Sequence, residues 1–230
     1  MRAEILYRPS YSMAIVDLEP YEEISVESGA MVSMTEGMKL KTRVAGGVVR
    51  SLTRSLFGGE SFFVNIFQAP AQGGQINLAP AMPGDMMILE TYGESMLVQS
   101  GSYVASSLGI TIDAKWGGAQ TFFASEGLIM LRARGEGLLL LSSYGAIHPI
   151  DLAPGQRYTV DTGHLVSFTE GMGFRVRTAG GVRSTLLSGE GLVVDLTGPG
   201  RVYMQTRSAD AFLAWLAPNL PQAGPPSAQG

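Results

Sequence analysis

The chain has 230 residues, 45% of them hydrophobic and only 16% charged, with a net charge of −4. It contains no cysteine and two histidines, His148 and His164, which excludes disulfides, thiolate metal sites, a cysteine nucleophile and a histidine-rich metal centre within one chain. Lysine is confined to Lys39, Lys41 and Lys115, a poor supply of cations for a phosphate backbone, so DNA is not expected as a partner and RNA is disfavoured.

Taken in chain order, the opening MRAEILYRPSYSMAIVDLEP lacks the apolar run of a signal peptide. No later run reaches the roughly 18–20 apolar residues of a membrane-spanning helix, and a cytoplasmic protein is expected. EISVESGAMVSM (23–34) passes through the turn TEGM into KLKTRV (39–44). There Leu40, Thr42 and Val44 alternate with Lys39, Lys41 and Arg43, the period of a half-buried strand. Gly37 supplies the positive φ that a tight turn needs. VVRSLTRSL (48–56) spaces Val48, Leu52 and Leu56 as a helix would. SFFVNIF (61–67) is a strand, and LAPAMPGDMMILE (78–90) places a Pro-Gly turn before another.

Further on, GLIMLRA (127–133) and LLLLSS (138–143) are two short strands bounded by glycine. DLAPGQRYTV (151–160) has a second Pro-Gly turn. GFRVRT (173–178) alternates Phe174, Val176 and Thr178 with Arg175 and Arg177, and GLVVDL (191–196) is a strand. SADAFLAWLAPNL (208–220) opens on a capping serine, Ser208, and ends near Pro218, which predicts a short helix. The tail 221–230 has the composition of a disordered segment.

The chain also writes one sentence twice. VSMTEGMKLKTRVAGGV (32–48) returns as VSFTEGMGFRVRTAGGV (166–182), with more than half the positions identical between 24–48 and 158–182. After a shortened connection, FGGESFFVNIF (57–67) meets LSGEGLVVDLT (187–197). A weaker copy lies between them: MLVQSGSYVASS (96–107), then Gly117-Gly118, a turn at 125–127 and the apolar LIML. A period of this kind marks a repeated structural unit. The expected fold is all-β: three tandem β-sandwich repeats, at 1–90, 91–153 (degenerate) and 154–207, then the helix 208–220 and the tail.

EPYEEISVESGAMVSM (19–34), the AGGV glycine pair, GGESFFVNIF (58–67) and GQINLAPAMPGDMMILE (74–90) carry a resemblance. Over roughly residues 10–207 the chain resembles the bacterial family of unknown function related to the yeast altered-inheritance-of-mitochondria protein. That resemblance implies a fold like the tryptophan RNA-binding attenuation protein, used three times in one chain, and a homotrimer. It implies no catalytic residue, and no cofactor is expected.

The motif with the most chemistry in it is AGGVVRSLTRSLFGGE and its echo AGGVRSTLLSGE. Gly46, Gly47, Gly180 and Gly181 could expose amides to an anion beside Arg50, Arg54 and Arg183, closed by Glu60 and Glu190. The competing reading makes them turns in which each arginine pairs with its own copy's glutamate, and the sequence favours it. Glu36 and Glu170 occupy identical turns that a repeat would hold on separate units, which suits structure better than acid–base chemistry. The histidines lack the surroundings of a Ser-His-Asp triad. The expected function is a non-enzymatic homo-oligomeric scaffold. A ring binding small anionic ligands at the Gly-Gly/Arg loops is the alternative, and the sequence leaves membrane contact open.

Overall fold

A computed structural model describes residues 1–44, 63–113, 128–179 and 191–220. Among the described residues the chain is predominantly β-sheet with one short C-terminal helix. The first seven strands are β1 (Arg2–Leu6), β2 (Met13–Leu18), β3 (Glu23–Glu27), β4 (Met31–Met34), β5 (Lys39–Val44), β6 (Phe63–Gln68) and β7 (Gly74–Leu78). Next come the long β8 (Met86–Gln99), then β9 (Tyr103–Ser107), β10 (Ile110–Asp113) and the long β11 (Met130–Ser142). The last six are β12 (Ile147–Leu152), β13 (Arg157–Asp161), β14 (Leu165–Thr169), β15 (Gly173–Thr178), β16 (Leu192–Thr197) and β17 (Gly200–Gln205). The helix α1 (Ala209–Leu216) follows. No helix among the described residues is long and apolar enough to cross a membrane.

The strands form three antiparallel sheets. The first runs β1-β2-β7-β4 and the last β13-β16-β15. Between them a large sheet runs β12-β17-β14-β8-β11-β9-β3-β6-β5, with β10 also on β11. The same pairings occur in three places. β3 with β6, β8 with β11 and β13 with β16 are one set; β5, β10 and β15 lie on the far side of those partners. β4 with β7, β9 with β11 and β14 with β17 are another.

That last set also shares an irregularity. Ladder partners skip Val32, Val104 and Val166, giving the same two-against-one bulge in β4, β9 and β14. Inward side chains close three apolar clusters. One holds Val16, Ile24, Phe67, Ile76 and Leu78, and a second holds Leu97, Val160, Phe168, Leu196 and Val202. The third lies between them, around Val98, Tyr103, Leu131, Leu139 and Val166.

Several sequence expectations hold locally. Gly37 (φ 86°) and Gly171 (φ 97°) both adopt the left-handed region in their TEGM turns. Ser208 Oγ accepts from the Ala211 N–H at 3.3 Å and caps α1. Two expectations change. GLIMLRA and LLLLSS are not separate strands, because β11 continues through Gly135 and Gly137, both at positive φ, with a register shift against β8. The Thr91 hydroxyl bridges that irregularity by donating to the Gly135 carbonyl at 2.9 Å, with the Gly137 carbonyl at 3.3 Å. Leu40, expected on a buried face, is exposed on β5, which among the described residues pairs with β6 alone. The helix proposed at 48–56 and the tail 221–230 lie outside the described residues.

Candidate functional site: two unmated strand edges

Among the described residues two strands lack a neighbour that strands with the same pairings possess. β3 has β6 on one side and β9 on the other; β8 has β11 and β14. Their counterpart β13 has β16 alone. Similarly β9 lies between β11 and β3, and β14 between β17 and β8, whereas β4 has β7 alone. Of the other edge strands, β5, β10 and β15 each have one partner among the described residues; β12 has β17 alone, and β1 is an addition on β2, the counterpart of β12. Among the described residues β4 and β13 each lack a neighbour that both of their counterparts possess.

Burial follows pairing. Tyr103, Val104 and Ser106 on β9, and Leu165, Val166 and Phe168 on β14, are all 0% exposed. The corresponding β4 residues Met31, Val32 and Met34 are 39%, 55% and 40% exposed. On the other edge, Ile24 of β3 and Met96 of β8 are buried, while Tyr158 of β13 is 36% exposed. Residues of the same apolar character are thus covered where a neighbouring strand exists and bare where none does. A bare apolar strand edge, with its row of ladder groups unpaired, is a ready template for another strand.

Beside the β13 edge is a charged cluster. Arg177 grips Asp195 in a fork, with Nε at 2.6 Å and Nη2 at 2.9 Å, and the Thr159 hydroxyl donates to the same carboxylate at 2.7 Å. The Arg177 hydrogen bond, then that of Thr159, holds the Asp195 carboxyl below its ordinary value; Arg175 adds a smaller electrostatic pull. Beside β14 a different triad stands at the matching place: Arg132 reaches Asp113 at 3.2 Å and Glu170 at 3.7 Å.

Away from the edges, the most buried carboxylate is Asp85. It accepts from Arg8 Nε (2.8 Å) and Nη2 (2.9 Å), from Ser12 Oγ (3.1 Å) and from the Met86 N–H (2.8 Å). Burial pushes its carboxyl up, but the Arg8 and Met86 hydrogen bonds outweigh this and leave it below the ordinary carboxylate value. Every oxygen of this group is occupied in tying the N-terminal arm down, so it is a clasp and not a reactive group.

The glycine–arginine loops named from sequence, Gly46, Gly47, Arg50, Arg54, Glu60, Gly180, Gly181, Arg183 and Glu190, lie outside the described residues. Glu36 is exposed in its turn, and Glu170 is held by Arg132. His164 Nδ1 lies 2.7 Å from the Gln205 carbonyl, and His148 faces solvent opposite Met204. Among the described residues no three histidine or acidic side chains gather as metal ligands. An open cleft of about 510 Å³, where β3 meets β9, is lined by Glu22, Glu23, Gln68 and Leu108, and its two carboxylates are paired with the Met1 ammonium at 2.9 Å and with Lys41 at 3.2 Å. The two edges were missed from sequence because pairing between distant strands leaves no local signal; the exposed Val32 and the buried Val166 sit in nearly identical strings.

Residues 3–207 match the family described as Mitochondrial biogenesis AIM24. An uncharacterized protein of Streptococcus pyogenes serotype M6 is 28% identical, over 96% of this chain and 92% of its own length. A crystal structure of a Streptococcus pyogenes protein superposes with a TM-score of 0.79 at 26% identity, covering 95% of this chain and 99% of that one.

Proposed function

The chain belongs to the Mitochondrial biogenesis AIM24 family, and from that premise we propose that it is a non-enzymatic scaffold that assembles with copies of itself. The observation that carries this reading is the pair of bare edges. β4 lacks the neighbour that β3 gives β9 and β8 gives β14, and β13 lacks the neighbour that β9 and β14 give in return, so each edge is of the kind the other lacks. Such heterologous surfaces generate rings when the rotation closes.

In this reading the chain is three tandem β-sandwich units of the attenuation-protein type. The strand pairings support it, since the β4–β7 pairing recurs as β9–β11 and β14–β17 with the same bulge. The divisions follow pairing most simply when 86–91 go with the middle unit and 147–152 with the third, slightly ahead of the limits 90 and 153 read from sequence. Three chains close the ring in the count that the family resemblance implies. The low charge content fits a surface partly covered by neighbours. The protein's role is then exerted by the assembled surface, in the cytoplasm, and not by a reactive side chain.

Light scattering on the purified protein tests this directly. The expected native mass is three times the 24.4 kDa of the chain. A mass of one chain at all concentrations overturns the reading.

A further inference from the structure

Resting on the assembly reading, we infer the joint itself: β13 of one copy lies antiparallel to β4 of the next, in one register, with Glu36 of the next copy seated against Arg175 and Arg177. The register comes from the two joints already present inside the chain. In the first, Val26 faces Ala105, Ser25 faces Ser106 and Ile24 faces Ser107. In the second, Val98 faces Ser167, Leu97 faces Phe168 and Met96 faces Thr169.

The correspondence between copies is fixed by ladder partners. Val26, Val98 and Val160 pair with Asn65, Leu131 and Val194 on β6, β11 and β16. Ser33, Ala105 and Ser167 each follow the shared bulge. Carrying the register over places Val160 opposite Ser33 of the next copy, Thr159 opposite Met34 and Tyr158 opposite Thr35. Met31, Val32 and Met34 then take the covered positions that Tyr103, Val104 and Ser106 already occupy.

The charges distinguish this joint from the other two. In the β8–β14 joint the Glu170 N–H donates to the Ser95 carbonyl at 2.9 Å, and its carboxylate reaches Arg132. In the β3–β9 joint, Leu108 occupies the place of Glu170, and Ile66 that of Arg132. At the open end, Asp195 pairs with Thr159 as Arg132 pairs with Leu97, and Arg175 stands where Asp113 does. The incoming turn residue is Glu36. It meets two guanidiniums beside one carboxylate, Asp195, which Arg177 already grips, so one positive charge is left for its negative one. Arg175 makes no ion pair among the described residues. Partly exposed charges of this kind steer and orient association more than they tighten it. The end of one chain is therefore complementary to the beginning of another, while an interior joint, already filled, is not available to it.

Because the chain has no cysteine, engineered pairs report the register without background. The Thr159→Cys/Met34→Cys variant places thiols on facing residues, whose Cα separation in an antiparallel ladder, about 5.5 Å, suits a disulfide. On mild oxidation the expected result is covalently linked chains on a denaturing gel. Thr159→Cys/Val32→Cys, two residues out of register, is expected to stay unlinked. Glu36→Arg and Arg175→Glu are each expected to raise the concentration for half-assembly about tenfold, and the two together to restore it. An assembled protein in which 159 and 34 do not link overturns the joint but leaves the assembly reading standing. Linking without any effect of the charge variants overturns the role of Glu36. A wild-type protein that is monomeric by light scattering overturns the assembly reading and the joint with it.

Discussion

At the scale of single residues, Asp85 shows how a carboxylate becomes structural. Its three partners come from two separate places: Arg8 and Ser12 on the N-terminal arm, and the backbone of Met86. Removing the carboxylate strands the Met86 N–H and the Ser12 hydroxyl, both buried, so Asp85→Ala should cost about 3 kcal/mol in urea unfolding. The acid dependence has a definite sign. The folded carboxyl titrates below the unfolded one, so its stabilisation is present above about pH 4 and is lost as pH falls through the folded value. Melting temperatures recorded between about pH 6 and pH 3 should fall more steeply for the wild type than for Asp85→Asn. The string LAPAMPGD marked this place in the sequence as a turn, but nothing in it named Arg8, which lies far away along the chain. Pairings of this length are set by the fold, and a local reading cannot reach them.

Among the elements, strand identity is legible in the sequence, and strand extent is legible where period two runs unbroken. KLKTRV and GFRVRT became β5 and β15 with the bounds that period two suggested, because alternation is a property of the strand itself. β11 was split in the reading, because glycine usually punctuates; here Gly135 and Gly137 bend a strand that β8 keeps in line. The connection just before β8 depends on glycine for a different reason. A Cβ on Gly84 would lie 1.8 Å from the Ser143 carbonyl oxygen and 2.7 Å from the Gly145 nitrogen. These are backbone atoms of the same clasp, in which the Asp85 N–H donates to the Gly145 carbonyl at 2.8 Å and the Ser143 N–H to the Asp85 carbonyl at 3.0 Å. No rotamer relieves such an overlap, so the backbones must part. Gly84→Ala should therefore destabilise by about 3 kcal/mol or more, seen as a lowered urea midpoint with an unchanged slope.

For the whole molecule, the question is why the β4 and β13 edges have no neighbouring strand among the described residues. Exposed apolar strand edges invite uncontrolled pairing, and proteins commonly blunt them with charge, proline or a covering element. β4 has none of these: MVSM is uncharged, lacks proline and is exposed along its length. The low charge content of the chain points the same way. Both features cease to be liabilities once a neighbouring copy covers them. Introducing charge on β4 then separates assembly from folding. Val32 and Met34 are already exposed in the single chain, so Val32→Glu/Met34→Glu removes little that the isolated fold needs. In the assembled joint the same side chains would occupy the place of fully buried Val104 and Ser106, where two unpaired carboxylates are not tolerated. The variant should keep the far-ultraviolet circular dichroism of the wild type and elute as a single chain by light scattering. It should also lose the rise of melting temperature with protein concentration that mass action gives an assembling wild type. Tyr92→Glu, at a more exposed site on β8 and on neither edge strand, should leave the native mass unchanged. A charged β4 that still assembles would show that the copies meet through some other surface.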